Sequence, residues 1–172
     1  LGLLRDACRE PAEDSSTAGE ALIDYTRADR SAMAMVTSLV ESIVWPRLAD
    51  SFDRYEPAFA TSVIKPSDPR SAMFLHEDRT WVDDPEAVTC TAWIPLVDTS
   101  PVLDNGALHV VPRSHRIPAG LSGTGTPRWC EHYEAFLRAH ARGLTVRAGE
   151  AVIYDSRLLH FSPANHRGEP RP

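Results

Sequence analysis

From Asp104 to Pro112 the chain reads Asp104-Asn105-Gly106-Ala107-Leu108-His109-Val110-Val111-Pro112, a turn signal that runs straight into a short apolar run. Asn and Gly tolerate positive φ, as a tight turn requires, and a Val-rich run suits a pleated, half-buried surface. The same pattern recurs on both sides. Runs at 59–64, 72–76, 88–95, 107–111, 144–146 and 151–154 are short, apolar and bounded by Pro, Gly, Asp or Asn, and they predict strands. A second turn, Arg147-Ala148-Gly149-Glu150, precedes the last of them.

Upstream of residue 57 the period changes. Met33, Val36, Leu39, Val40, Ile43 and Val44 recur at three- and four-residue intervals, which predicts a helix, with Pro46 breaking or restarting it and 48–52 continuing it. A shorter helix is expected over 129–141, in an exposed insertion behind a flexible loop at 120–127. Helices first and many short strands afterwards favour a mainly β protein of the α+β class. Its expected form is a small barrel or sandwich with helices on one outer face. We read 1–172 as a single domain, helical over about 1–56 and β over about 57–172. The absence of an initiating Met and the ending at Glu169-Pro170-Arg171-Pro172 lead us to expect missing segments at one or both termini.

The net charge is −6 and the positive charge is almost all arginine, with Lys65 the only lysine and no basic stripe. Nucleic acid is therefore excluded as a partner. No apolar stretch approaches the roughly 18–20 residues needed to cross a bilayer, and no signal-peptide pattern opens the chain, so a soluble, cytoplasmic protein is expected. Cys8, Cys90 and Cys130 are too few and too scattered for a disulfide framework or structural zinc. Lys65 is assigned to the solvated surface by default. Oligomeric state is not readable.

His76-Glu77-Asp78 carries the chemistry. In a strand, residues i and i+2 share a face, so an imidazole and a carboxylate would converge on one point. Two histidines and one carboxylate on one face of an octahedron suit a divalent metal and leave positions open. With seven histidines in the chain, a His-x-Asp match also arises readily by chance. The third ligand must come from elsewhere. His160 follows an apolar strand-like run, although a buried, backbone-bonded histidine would look the same. His109 is the strand-borne competitor, whereas His115, His132, His140 and His166 sit in turns, loops or the helical insertion.

The ordered set is more specific than any member of it. His76-Glu77-Asp78, then Thr91-Ala92-Trp93-Ile94-Pro95-Leu96, then Asn105-Gly106-Ala107-Leu108-His109-Val110-Val111-Pro112-Arg113-Ser114-His115-Arg116, then Ala148-Gly149-Glu150 and Tyr154-Asp155-Ser156-Arg157-Leu158-Leu159-His160 resembles the phytanoyl-CoA dioxygenase family of Fe(II)/2-oxoglutarate oxygenases. The likeness covers roughly 65–171 and is loose before that. It implies a double-stranded β-helix (jelly-roll, cupin-like) core with helices outside. His76, Asp78 and His160 fall on the family's Fe(II) ligand positions. Arg171 falls where the family's arginine pairs with the distal carboxylate of 2-oxoglutarate, with Arg167 as a nearby alternative in a polar loop. Trp93 lies near the family's co-substrate pocket, or is simply an aromatic core residue.

The implied activity is hydroxylation of an unactivated C–H bond of a small molecule, natural-product or amino-acid-derived, with O2 consumed and succinate and CO2 released. Related halogenases carry Gly or Ala where Asp78 stands, which disfavours halogenation here. Two rivals remain at this stage: a cupin-like metal enzyme (an isomerase or a 2-oxoglutarate-independent dioxygenase), and a non-catalytic jelly-roll binding protein. Loops are expected to set specificity, namely 79–86, with Arg79 and Trp81, the 117–129 insertion, and the N-terminal helices.

Overall fold

The computed structural model describes residues 22–23, 30–78, 88–117 and 128–172. The candidate specificity segments around Arg79 and Trp81 and over 118–127 lie outside these residues, as does Cys8. Cys90 and Cys130 are free thiols, the first exposed and the second buried.

The helical part begins with α1 (Arg30–Leu39), continues through a π-helical turn (Val40–Val44), and restarts as α2 (Trp45–Leu48) before a 3-10 turn (Ala49–Ser51). Pro46 sits in the first turn of α2, where its missing N–H costs nothing. The restart anticipated at this proline is therefore observed. Thr37 of α1 ties the helix to the segment behind it, its hydroxyl donating to the Ala60 carbonyl at 3.2 Å and accepting from the Ala60 N–H at 3.1 Å.

Among the described residues all strands pair antiparallel and fall into three groups. β1 (Leu22–Ile23) pairs with β2 (Val63–Ile64). β3 (Met73–His76), β8 (His160–Ser162), β5 (His109–Val110) and β6 (Arg142–Gly143) form a four-stranded sheet in that order. β4 (Cys90–Trp93) pairs with β7 (Val152–Asp155). The chain is thus a mixed, sheet-rich fold with few helices. No described helix is long and apolar enough to cross a membrane.

The strands are shorter than the apolar runs predicted. Of 59–64 only the last two residues pair, and of 107–111 only His109 and Val110. The run at 144–146 is not a strand: β6 lies two residues earlier, and Val146 makes an isolated bridge to Thr99. Apolar composition marks burial, whereas ladder pairing depends on a partner's register, so the two boundaries need not coincide. The Asp104-Asn105-Gly106 turn is also built differently from expectation. Positive φ falls on Asp104 (49°) and Gly106 (71°), while Asn105 makes an isolated antiparallel bridge to Asn165.

Helix α3 (Arg128–Ala139) corrects a second expectation. It is no solvated insertion. Cys130 and Leu137 join Leu75, Val111, Leu159 and Phe161 in one buried cluster, so α3 covers one face of the four-stranded sheet. His132 and His140 do stay exposed, as expected. His160 consequently points to the opposite face, where the Tyr154 hydroxyl of β7 lies 3.4 Å from its Nε2.

Gly106 combines both demands made of glycine. Its φ is +71°, and a Cβ there would lie 2.7 Å from Cε of Lys65 and 2.9 Å from the Pro163 carbonyl oxygen. Gly106→Ala is expected to cost about 1–3 kcal/mol, from left-handed strain plus backbone overlap. Chemical denaturation of the two proteins checks this; equal stabilities would contradict the packing described.

Candidate metal centre

β3 pairs with β8 so that His76 stands opposite His160. Directly paired residues of an antiparallel ladder share a face, and the two imidazole centroids are 4.2 Å apart. Asp78, two residues beyond His76, lies on the same side. Its Oδ1 is 3.6 Å from Nε2 of His76 and 3.6 Å from Nε2 of His160. One ligand atom from each of the three lies within 4.8 Å of the others, a set that could hold a metal ion.

The imidazoles are already oriented for that task. Nδ1 of His76 is 2.8 Å from the Phe74 carbonyl and Nδ1 of His160 is 2.9 Å from the Leu158 carbonyl. A carbonyl only accepts, so each Nδ1 carries the proton and each Nε2 presents a lone pair to the shared point. Burial holds His160 below the usual imidazole range, reinforced by the charge of His76 and opposed by Asp78. A neutral imidazole is the form that binds metal. The donor set therefore fits a divalent ion of the iron type.

His109 is excluded from this cluster by register. It pairs with Phe161, and its ring stacks on Phe161 at 5.0 Å, on the α3 side of the sheet. Its neighbour Val110 pairs with His160 and takes the metal-facing side.

A second cluster of charge adjoins the first. Lys65 and Arg171 form a mutual pair of backbone bonds, Lys65 N–H to the Arg171 carbonyl at 2.7 Å and Arg171 N–H to the Lys65 carbonyl at 2.8 Å. Both side chains are buried, at 0% and 6% exposure. The lysine is thus no surface residue, contrary to expectation. Its Nζ donates to Oγ of Ser162 at 2.7 Å, and Ser162 shares a strand face with His160. The Arg171 guanidinium lies 5.8 Å from the centre of the Trp93 ring, and its buried Nε has no hydrogen-bond partner. Burial pushes Arg171 down to about 10, and burial together with Arg171 pushes Lys65 down to about 7. Among the described residues neither cation has an ion-pair partner. Two buried cations side by side, one with an orphaned donor, make a site for an anion.

Asn165, fully buried, fixes the segment that carries Arg171. Its side-chain amide donates to the carbonyls of Lys65 at 3.0 Å and Glu169 at 2.7 Å, and its Oδ1 accepts from Arg167 N–H. Arg167 itself is exposed. Ser162, Thr91, Tyr154 and Asn165 were not singled out from sequence, and Lys65 was assigned to the surface. Alternation from His160 would have found Ser162, and alternation from Trp93 would have found Thr91.

A family model for phytanoyl-CoA dioxygenase (PhyH) matches residues 5–172. The chain belongs to the phytanoyl-CoA dioxygenase family. The match reaches well upstream of the region that carried the resemblance in sequence. Similar solved structures include the epimerase SnoN in complex with Fe3+, alpha ketoglutarate and nogalamycin RO, at 22% identity and TM-score 0.60 over 99% of this chain and 69% of that one. EvdO2 from Micromonospora carbonacea var. aurantiaca, complexed with 2-oxoglutarate, gives 19% identity and TM-score 0.57 over 99% and 77%. AviO1 from Streptomyces viridochromogenes Tue57 gives 29% identity and TM-score 0.46 over 65% and 46%. The chain spans less than half the length of AviO1, and 40% of EvdMO1. The first two share the fold.

The buried lysine has a consequence for stability. Its pKa falls from the ordinary 10.5 to about 7 on folding, so between those values the unfolded chain binds the extra proton. The cost of burying its charge is complete below about pH 7 and fades as pH rises toward 10.5. Replacing it by Met removes that cost. The melting temperature of Lys65→Met relative to wild type should therefore be higher near about pH 6 than near about pH 9, by roughly 5–10 °C, since about 3 kcal/mol of the cost disappears over that interval and about 1 kcal/mol moves a chain of this size by roughly 2–4 °C. A pH-independent difference would show that Lys65 does not titrate as described.

Proposed function

We propose that this chain is an Fe(II)/2-oxoglutarate-dependent oxygenase that hydroxylates an unactivated C–H bond of a small molecule. Fe(II) is held by His76, Asp78 and His160. Arg171, with Lys65 and Ser162 beside it, takes the distal carboxylate of 2-oxoglutarate, and Trp93 walls that pocket. The observation that carries the reading is the adjacency of two incomplete sites. A cluster of two imidazoles and a carboxylate suited to iron stands next to a buried pair of cations lacking an anion. A dicarboxylate with a chelating end and a charged tail answers both.

Bound iron supplies the O2 chemistry that couples decarboxylation of 2-oxoglutarate to oxidation of the substrate. In balance, substrate C–H, 2-oxoglutarate and O2 give C–OH, succinate and CO2. The protein's own contribution is placement. The guanidinium fork fixes one end of the co-substrate, the three ligands leave positions open for the other, and burial keeps water from the charged pair. No general base or covalent nucleophile is assigned.

We place the four-stranded sheet and the β4–β7 pair as the two faces of a double-stranded β-helix (jelly-roll, cupin-like) in one domain. That arrangement is supported by the side chains that meet between them. Asp78 makes halogenation less fitting, because the carboxylate occupies the position a halide would need. The acidic chain without a basic patch suits a small, uncharged substrate, such as a natural-product or amino-acid-derived intermediate. A cupin-like isomerase or 2-oxoglutarate-independent dioxygenase would leave the Lys65–Arg171 pair without a use.

Anaerobic titration of the purified protein with Fe(II) and then 2-oxoglutarate tests the assignment. Wild type should bind both and release succinate slowly in air, even without substrate. His76→Ala, Asp78→Ala and His160→Ala should each lose iron binding and succinate release. Arg171→Met should keep iron but weaken 2-oxoglutarate binding by roughly 30-fold or more, the scale of truncating one side of a buried charge contact. Iron binding with no response to 2-oxoglutarate would favour the cupin-like alternative and defeat the proposal.

A further inference from the structure

The two oxygens of Asp78 have different neighbours. Oδ1 faces the imidazoles, 3.6 Å from Nε2 of His76 and of His160. Oδ2 faces the other sheet, where it accepts from the Thr91 hydroxyl at 3.0 Å and from the Tyr154 phenol at 3.4 Å. The phenol is also 3.4 Å from Nε2 of His160. A nitrogen whose lone pair is given to a metal cannot accept a hydrogen bond, which leaves Asp78 as the phenol's acceptor.

Thr91 is itself held. Oγ of Ser156, a buried residue, lies 3.4 Å from the Thr91 hydroxyl, and the Ser156 carbonyl accepts the Asp78 N–H at 2.7 Å. One residue of the β7–β8 turn thus anchors both the backbone of Asp78 and the hydroxyl that grips its carboxylate. β4 contributes Thr91, β7 contributes Tyr154, and the two are neighbours because Thr91 pairs with Tyr154 in that ladder.

Carboxylates bind metals through one oxygen or through both. With two imidazoles and one carboxylate oxygen, an octahedral ion keeps three open positions; a chelating carboxylate leaves two. The co-substrate of the proposed reaction takes two and O2 needs another. We infer that Thr91 and Tyr154 are positioning residues that restrain Asp78 to a one-oxygen ligand and so preserve the third open position. The inference rests on the metal site proposed above.

Mn(II) alone is the probe, because its bound, exchangeable waters are counted directly by water-proton relaxation. Wild type should carry three such waters. The Thr91→Val, Tyr154→Phe double variant should bind Mn(II) at least as tightly yet carry two, so the relaxivity per bound ion falls to about two-thirds. Thr91→Val alone, which removes the shorter bond, should give most of the drop and serves if the double variant does not fold. Thr91→Ser, which keeps the hydroxyl, should restore the wild-type value. Unchanged relaxivity in a folded, Mn(II)-loaded Thr91→Val or double variant overturns the inference. Failure of wild type to bind Mn(II) overturns instead the metal site itself.

Discussion

The pairing of β3 with β8 is the constraint on which the remaining chemistry depends. One face of this ladder buries Leu75, Leu159 and Phe161 against Cys130 and Leu137 of α3. Alternation then sends His76, His160 and Ser162 to the other face, with the ladder shifting register between Met73 and His76. The register is enforced by the apolar side, since a slip of one residue would exchange the two faces and drive imidazoles into the core. The site is therefore held in place by residues that never touch it.

The same principle separates His109 from Val110. Both lie on β5, one residue apart, and only their ladder partners tell them apart: Phe161 for the histidine and His160 for the valine. An imidazole on the wrong side of a sheet stacks on an aromatic ring rather than serving a metal. The apolar residue on the right side helps shape the space above the ligands.

Around the centre the chain accepts electrostatic cost. Lys65 and Arg171 are both buried and mutually repelling, and Asn165 spends its whole amide fixing the segments that carry them. A fold selected for stability alone would replace such cations with apolar side chains of similar volume. Under the proposed function their retention is preorganisation, with the co-substrate carboxylate as the matching anion. Asp78 is treated in the opposite way, with each oxygen given its own set of neighbours. The carboxylate beside the imidazoles is oriented, whereas the buried cations are left partly unsatisfied.

Several features were legible in the sequence. The period change near residue 57, the turn punctuation and the His76-x-Asp78 spacing gave the sheet-rich class and two candidate ligands, because strand alternation is a local rule. The ordered motifs from His76 to His160 pointed to the family, and Arg171 lay at the matching spacing. What the sequence could not carry was pairing. That β6 precedes its apolar run, that α3 is core rather than insertion, and that His109 faces away all depend on which strand lies beside which. Lys65 shows the difference most plainly. A lone lysine in an acidic chain reads as solvated, since burial of a charge is costly, and only its bridge to Arg171 and its contact with Ser162 place it inside, beside the strand that carries His160.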